Sequence, residues 1–327
     1  MPANSFASQL GTTPLGFGCA NLGGRLGPRK SQAILETAFD AGIRYFDTAP
    51  LYGYGEAEGV LGRFLQGRRE GLTIATKFGI APPPRSLSLK IKKSAARAAV
   101  AVFPQLRKTI RRRAERMTSK GNFTVSECRQ TLRNSLRELR TDYVDVLLMH
   151  EILPEQITPE LVDFLEGVKQ EGLVRHYGTA TTAHNTVSIK SRQVPSGEVA
   201  QFPSSVFDNT LQMLSGEDAF KILITHSALG EKFRALTESL KSNRELCSEW
   251  SSQLGFDCSY VTKVGALLLA AAMRDNPDGV VLFSSQTENH ICENAALISD
   301  RRFSEEQFLA LKKLVRAFLE HPARQCA

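Results

Sequence analysis

Eight short β-type runs, separated by stretches with helical spacing, constrain this chain more than any other feature. They are Leu15 to Cys19, Arg44 to Thr48, Leu72 to Phe78, Tyr143 to His150, Arg175 to Ala180, Val199 to Phe202, Lys221 to His226 and Val280 to Ser284. Helix start and stop signals stand between them. Thr158-Pro159-Glu160 offers a cap residue and an N1 proline ahead of Leu161, Phe164, Leu165 and Val168. Thr124 with Glu127 has the form of a capping box ahead of Leu132, Leu136 and Leu139. Gly42 stands as a C-terminal stop for a helix over Ser31 to Ala41. Alternation of this kind implies a parallel sheet covered by helices, and eight units favour a closed (β/α)8 barrel over an open sheet. Barrels run to about 250 residues or more as one unit, so the 327 residues are read as a single domain, 1–327.

An open dinucleotide-binding sheet would carry G-x-G-x-x-G after its first strand. Gly16-Phe17-Gly18 continues to Asn21, and Gly53-Tyr54-Gly55 continues to Glu58, so neither matches. The six cysteines have no Cys-x-x-Cys spacing and no histidine cluster beside them, which argues against a disulfide framework and against a metal site. The opening MPANSFASQLGTTP lacks a basic region followed by an apolar run, and no uninterrupted apolar stretch reaches the length of a membrane span. A cytoplasmic protein without integral membrane association is the expectation.

In a barrel, reactive groups belong at the C-terminal ends of strands. Asp47 ends the second run and Tyr52 follows in the loop; Lys77 ends the third run, and His150 ends the fourth. Any one of these has a structural reading, such as a salt bridge between Lys77 and Asp47. Four together at consecutive strand ends point to a catalytic set.

AFDAGIRYFDTAPLYGYGEAE, ATKFG and LLMH resemble, in order and spacing, the catalytic segments of the aldo-keto reductase family. The resemblance extends to LGFGCANLGG, EGLVRHYGTA, HSALG and LFSSQTENHICEN. It implies a TIM barrel that reduces an aldehyde or ketone with NAD(P)H, the nicotinamide supplying a hydride that no side chain can. In that reaction charge builds on the carbonyl oxygen and must be stabilised and protonated. The resemblance makes Tyr52 the expected acid, with a nearby Lys77 ammonium expected to lower its pKa, Asp47 to keep Lys77 charged and placed, and His150 to orient the carbonyl oxygen. It also implies a cofactor set of Gly18, Cys19, Asp47, Thr181, Gln201, His226, Ser227, Leu229, Ser284, Ser285, Gln286, His290 and Asn294. Within that set Ala180 and Thr181 stand where the family often has Ser and Asn, and His226 replaces a common tyrosine. The resemblance favours NADP(H), with NAD(H) as the alternative because no arginine occupies the place of Gln286 or His290. Two other functions share these motifs: a sugar or alcohol dehydrogenase, and a nucleotide-binding regulatory subunit.

Residues 80–122 form a basic insertion after the third strand. Between 81 and 121 there are twelve Lys or Arg and a single acid, Glu115, within a chain of net charge +7. The insertion should border the barrel mouth, and Phe103, Leu106 and Ile110 fall at helical spacing. It is read as a solvated helical flap without a partner, with recognition of an anionic or carrier-bound carbonyl substrate as the alternative. Without interleaved aromatics it does not read as a nucleic-acid surface.

Overall fold

The computed structural model describes residues 11–24, 26–82, 121–214, 220–300 and 302–320. The middle of the basic insertion, with its proposed amphipathic helix, lies outside the described residues. Eight parallel strands close into one barrel in sequence order: β1 (Leu15–Gly18), β2 (Tyr45–Asp47), β3 (Thr73–Phe78), β4 (Val144–His150), β5 (Val174–Ala180), β6 (Val199–Pro203), β7 (Ile222–His226) and β8 (Val280–Phe283). Every run identified in the sequence became a strand.

Strand side chains alternate between faces, and here the alternation divides two cores. The inner core contains Tyr45, Ala75, Val146, Leu148, Ala180, Val199, Ile222, Ile224, Val280 and Leu282, which fill the barrel. Phe17, Phe46, Ile74, Leu147 and Met149 point the other way, into the layer beneath the surrounding helices. Continuing each inner column upward in steps of two reaches Asp47, Lys77, His150, Gln201, His226 and Ser284. The hydrophobic columns therefore aim the polar residues at the top of the barrel.

The helices run in order α1 (Gly27–Asp40), α2 (Ala57–Leu65), α3 (Val125–Leu139), α4 (Pro159–Gln170), α5 (Ala183–Ser191), α6 (Thr210–Leu214), α7 (Phe233–Ser242), α8 (Arg244–Leu254), α9 (Val261–Asp275), α10 (Glu288–Ala296) and α11 (Glu305–Glu320). In α4 the Thr158 side chain caps the Leu161 amide as anticipated. Helix α1 begins a turn earlier than its spacing indicates, with Pro28 near its start, and Gly42 follows its end at φ 94°. The Thr124–Glu127 capping box does not form: no side-chain cap bond is made there, and the Thr124 amide donates to Asn122 Oδ1 at 3.1 Å instead. Asn122 takes the donor that Glu127 would have accepted. Helices α7, α8, α9 and α11 build a separate apolar cluster around Trp250, Leu246, Leu267 and Phe318.

Candidate active site

The site starts from a buried ion pair. Lys77 and Asp47 are 1% and 3% exposed, and the Lys77 ammonium donates to both carboxylate oxygens, at 2.7 and 2.8 Å. It also donates to the Thr48 carbonyl at 3.0 Å. Burial alone would lower the Lys77 pKa, but Asp47 and Tyr52 more than offset it, and the net direction is upward. Lys77 is a fixed cation.

Tyr52 reaches this pair from the loop after β2. Its short 3-10 turn, Tyr52–Tyr54, passes through left-handed backbone at Gly53 and Tyr54. A Cβ on Gly53 would lie 1.8 Å from the Leu22 carbonyl oxygen, and the Gly53 amide donates to the Ala20 carbonyl at 3.2 Å. The loop after β1 thus clamps the turn, and only glycine fits the clamp. The Lys77 nitrogen sits 4.8 Å from the Tyr52 ring centroid, and the His150 ring meets Tyr52 edge-on with centroids 6.0 Å apart.

The expected pull of Lys77 on the Tyr52 pKa is present, but it does not set the net direction. Burial raises it most, Lys77 pulls it down, Asp47 pushes it up again, and the net direction is upward. The hydroxyl is therefore fully protonated through the neutral range. His150 is pushed down to about 3, first by burial, then by Lys77 and His226. Its imidazole is neutral, and its Nδ1 is buried without a hydrogen-bond partner. His226 is lowered as well, chiefly by burial, and its Nδ1 lies 2.9 Å from Ser227 Oγ.

These side chains line one cleft of about 800 Å3. Of the proposed cofactor set, Gly18, Asp47, Thr181, Gln201, His226, Ser227, Leu229, Ser284, Ser285, His290 and Asn294 also line it. Two do not. Cys19 shares the outward parity of Phe17 and is fully buried in the helix-facing core, its thiol near the Phe17 carbonyl. Gln286 is exposed at the tip of a turn closed by Ser285 Oγ and the Thr287 amide, outside the lining. Other lining residues were not anticipated: Glu151, Glu231 and Glu293, together with a wall of Phe233, Val261, Gly265, Ala266 and Leu269. A carboxylate directly after a strand-end histidine was a readable signal for Glu151. The α9 wall carries no chemical signature in sequence. No group of three or more potential metal ligands occurs among the described residues, and none of their helices is long and apolar enough to cross a membrane.

The cleft has room for a nicotinamide dinucleotide, being within the usual range of ligand pockets. It also holds an unmet acceptor of the right kind: Gln201 is 4% exposed and its Oε1 has no hydrogen-bond partner. A primary carboxamide has the donor that this oxygen lacks. A closed barrel with a protonated tyrosine, a fixed ammonium and a neutral imidazole converging on such a cleft defines a class, the barrel oxidoreductases. The particular family follows from comparison with known proteins. The model of the aldo/keto reductase family matches residues 14–195, more than half of the chain, and the chain belongs to that family. It is 26% identical to the uncharacterized oxidoreductase YqkF of Bacillus subtilis, over 93% of each chain. It is 32% identical to D-threo-aldose 1-dehydrogenase of a Pseudomonas species, over 57% of this chain and 55% of that one. An aldo-keto reductase of Bacillus halodurans, solved in its holo form, has the same fold, with a TM-score of 0.66 at 19% identity over 93% of this chain and 92% of that one. The protein is an NAD(P)H-dependent oxidoreductase, and reduction of carbonyl compounds is the family's general reaction.

Proposed function

We propose that this chain reduces a small aldehyde or ketone with Tyr52 as the proton donor. The observation that carries the assignment is the convergence of Tyr52, His150 and the Lys77–Asp47 pair on one cleft. When bound, the nicotinamide supplies the hydride. The neutral His150 imidazole orients the carbonyl oxygen through an N–H bond. As charge develops on that oxygen, Tyr52 protonates it, and Lys77 stabilises the phenolate left behind. Asp47 holds Lys77 in place. Gln201 and Thr181 would hold the carboxamide, His226 would lie against the ring, and the Ser227–Leu229 and Ser284–Asn294 segments would take the rest of the dinucleotide.

Among the described lining residues Lys77 is the only lysine or arginine, and Asp47 occupies it. Glu293 lies in the segment assigned to the adenosine half. We infer NAD(H) over NADP(H), because a 2′-phosphate would meet carboxylate rather than guanidinium. The lining carboxylates Glu151, Glu231 and Glu293 favour a second reading, oxidation of a neutral, hydroxyl-bearing substrate by the catalytic residues in reverse. The activity named for the D-threo-aldose 1-dehydrogenase relative is of that kind. An anionic or carrier-bound substrate would depend on the basic insertion outside the described residues. The direct test is Tyr52→Phe. It should leave cofactor affinity nearly unchanged while kcat/KM falls by about 100-fold or more in both directions. Unaltered turnover would remove Tyr52 from the chemistry.

A further inference from the structure

Thr181 follows the end of β5 and leans on β6, its amide donating to the Gln201 carbonyl at 3.1 Å. Both residues are buried and both line the cleft. Behind Thr181, outside the lining, stands Asn185 in the first turn of α5. The Thr182 hydroxyl, capping the helix, accepts the Asn185 amide at 3.2 Å and so fixes where that residue sits. Asn185 Nδ2 then donates to Thr181 Oγ1 at 3.1 Å.

This bond sets the direction of the Thr181 hydroxyl. A hydroxyl has one proton and two acceptor lone pairs, and an amide NH2 can only donate. With Nδ2 donating into Oγ1, the Thr181 proton needs another acceptor, and the described residues provide none for it. On the neighbouring strand β6, whose Gln201 pairs with Ala180 just before Thr181, Gln201 Oε1 is an acceptor without a donor. The cleft wall thus presents a free donor beside a free acceptor, the complement of one edge of a primary carboxamide.

We propose that Asn185 is a positioning residue for cofactor recognition: it holds Thr181 as a hydrogen-bond donor, so that Thr181 and Gln201 together grip the nicotinamide carboxamide. The proposal rests on the reading that this cleft takes a nicotinamide dinucleotide. It assigns a role to a side chain that touches neither substrate nor cofactor.

The test is binding to the full-length chain without turnover. Dissociation constants are measured for whichever of NADH and NADPH binds tighter, and for the matching ADP-ribose, which lacks the nicotinamide. Asn185→Asp is the informative variant, because a carboxylate only accepts and would draw the Thr181 proton toward itself. Its affinity for the reduced dinucleotide should fall about 10-fold, the equivalent of one hydrogen bond of about 1.4 kcal/mol, with ADP-ribose affinity kept within about twofold. Asn185→Ala should lose less, about threefold, because the hydroxyl is freed rather than reversed. Unchanged dinucleotide affinity in Asn185→Asp would overturn the proposal, and so would equal losses for both ligands, which would mean general damage at the start of α5. A wild-type chain that binds neither ligand would overturn the cofactor reading itself, and the role of Asn185 with it.

Discussion

Lowering the pH should expose the cost of keeping His150 neutral. In the unfolded chain this histidine titrates at its ordinary 6.5, whereas in the barrel it is pushed down to about 3 by burial, Lys77 and His226. Between those values the unfolded state holds a proton that the folded state refuses. Stability therefore rises with pH across that window and is lost as pH falls through 6.5 toward 3. At about pH 5 the gap to the unfolded value is about 1.5 units, which corresponds to about 2 kcal/mol. The assay is urea unfolding at about pH 7.5 and about pH 5, for the wild type and His150→Gln. The wild type should lose about 2 kcal/mol more than the variant between the two conditions. His226 titrates in the same sense but is present in both proteins, so it drops out of the difference. Parallel losses in the two proteins would refute the neutral imidazole, and with it the use of His150 as an uncharged N–H donor.

Three further outcomes are expected. Asp47→Asn leaves the buried Lys77 ammonium without its counter-charge, which should cost about 3–5 kcal/mol and be visible as a large drop in Tm alongside lost turnover. Gly53→Ala forces a Cβ against the Leu22 carbonyl at a left-handed position, so the Tyr52 turn must rearrange. A loss of about 1–3 kcal/mol in chemical denaturation, with kcat reduced more than cofactor affinity, is the expected pattern. Direct titration should give a lower Kd for NADH than for NADPH, and the reverse order would require a cation from beyond the described cleft lining, where Lys77 is the only lysine or arginine.

Much of this was legible in the sequence because strand periodicity is a local signal and the barrel builds directly on it. Asp47, Lys77 and His150 could be found because each interrupts an apolar run at the end where a barrel opens. The departures from expectation have equally definite causes. Cys19 entered the set with Gly18 through the resemblance, whereas alternation sends successive residues to opposite faces and takes it out of the cleft lining. Gln286 lies beyond the strand, where no periodicity applies, and a side-chain turn carries it away. The Thr124 box lost to a competing acceptor two residues upstream, which composition alone does not rank. The direction of the Tyr52 shift depended on comparing burial with the pull of Lys77, and burial is a property of the assembled fold. Asn185 needed the structure because its partner is not a reactive atom but the orientation of a proton.

The inner columns of the barrel have a consequence for how such a chain can change. Each polar residue at the mouth is an even number of steps from the apolar residue beneath it, so its seat is a matter of parity. Deleting one residue inside β3 would turn Lys77 out toward the helices and bring a neighbour in, however conservative the remaining sequence. Insertions in the connecting loops leave parity untouched. A lineage of this architecture can therefore lengthen a loop by tens of residues, while a single step within a strand would dismantle the site.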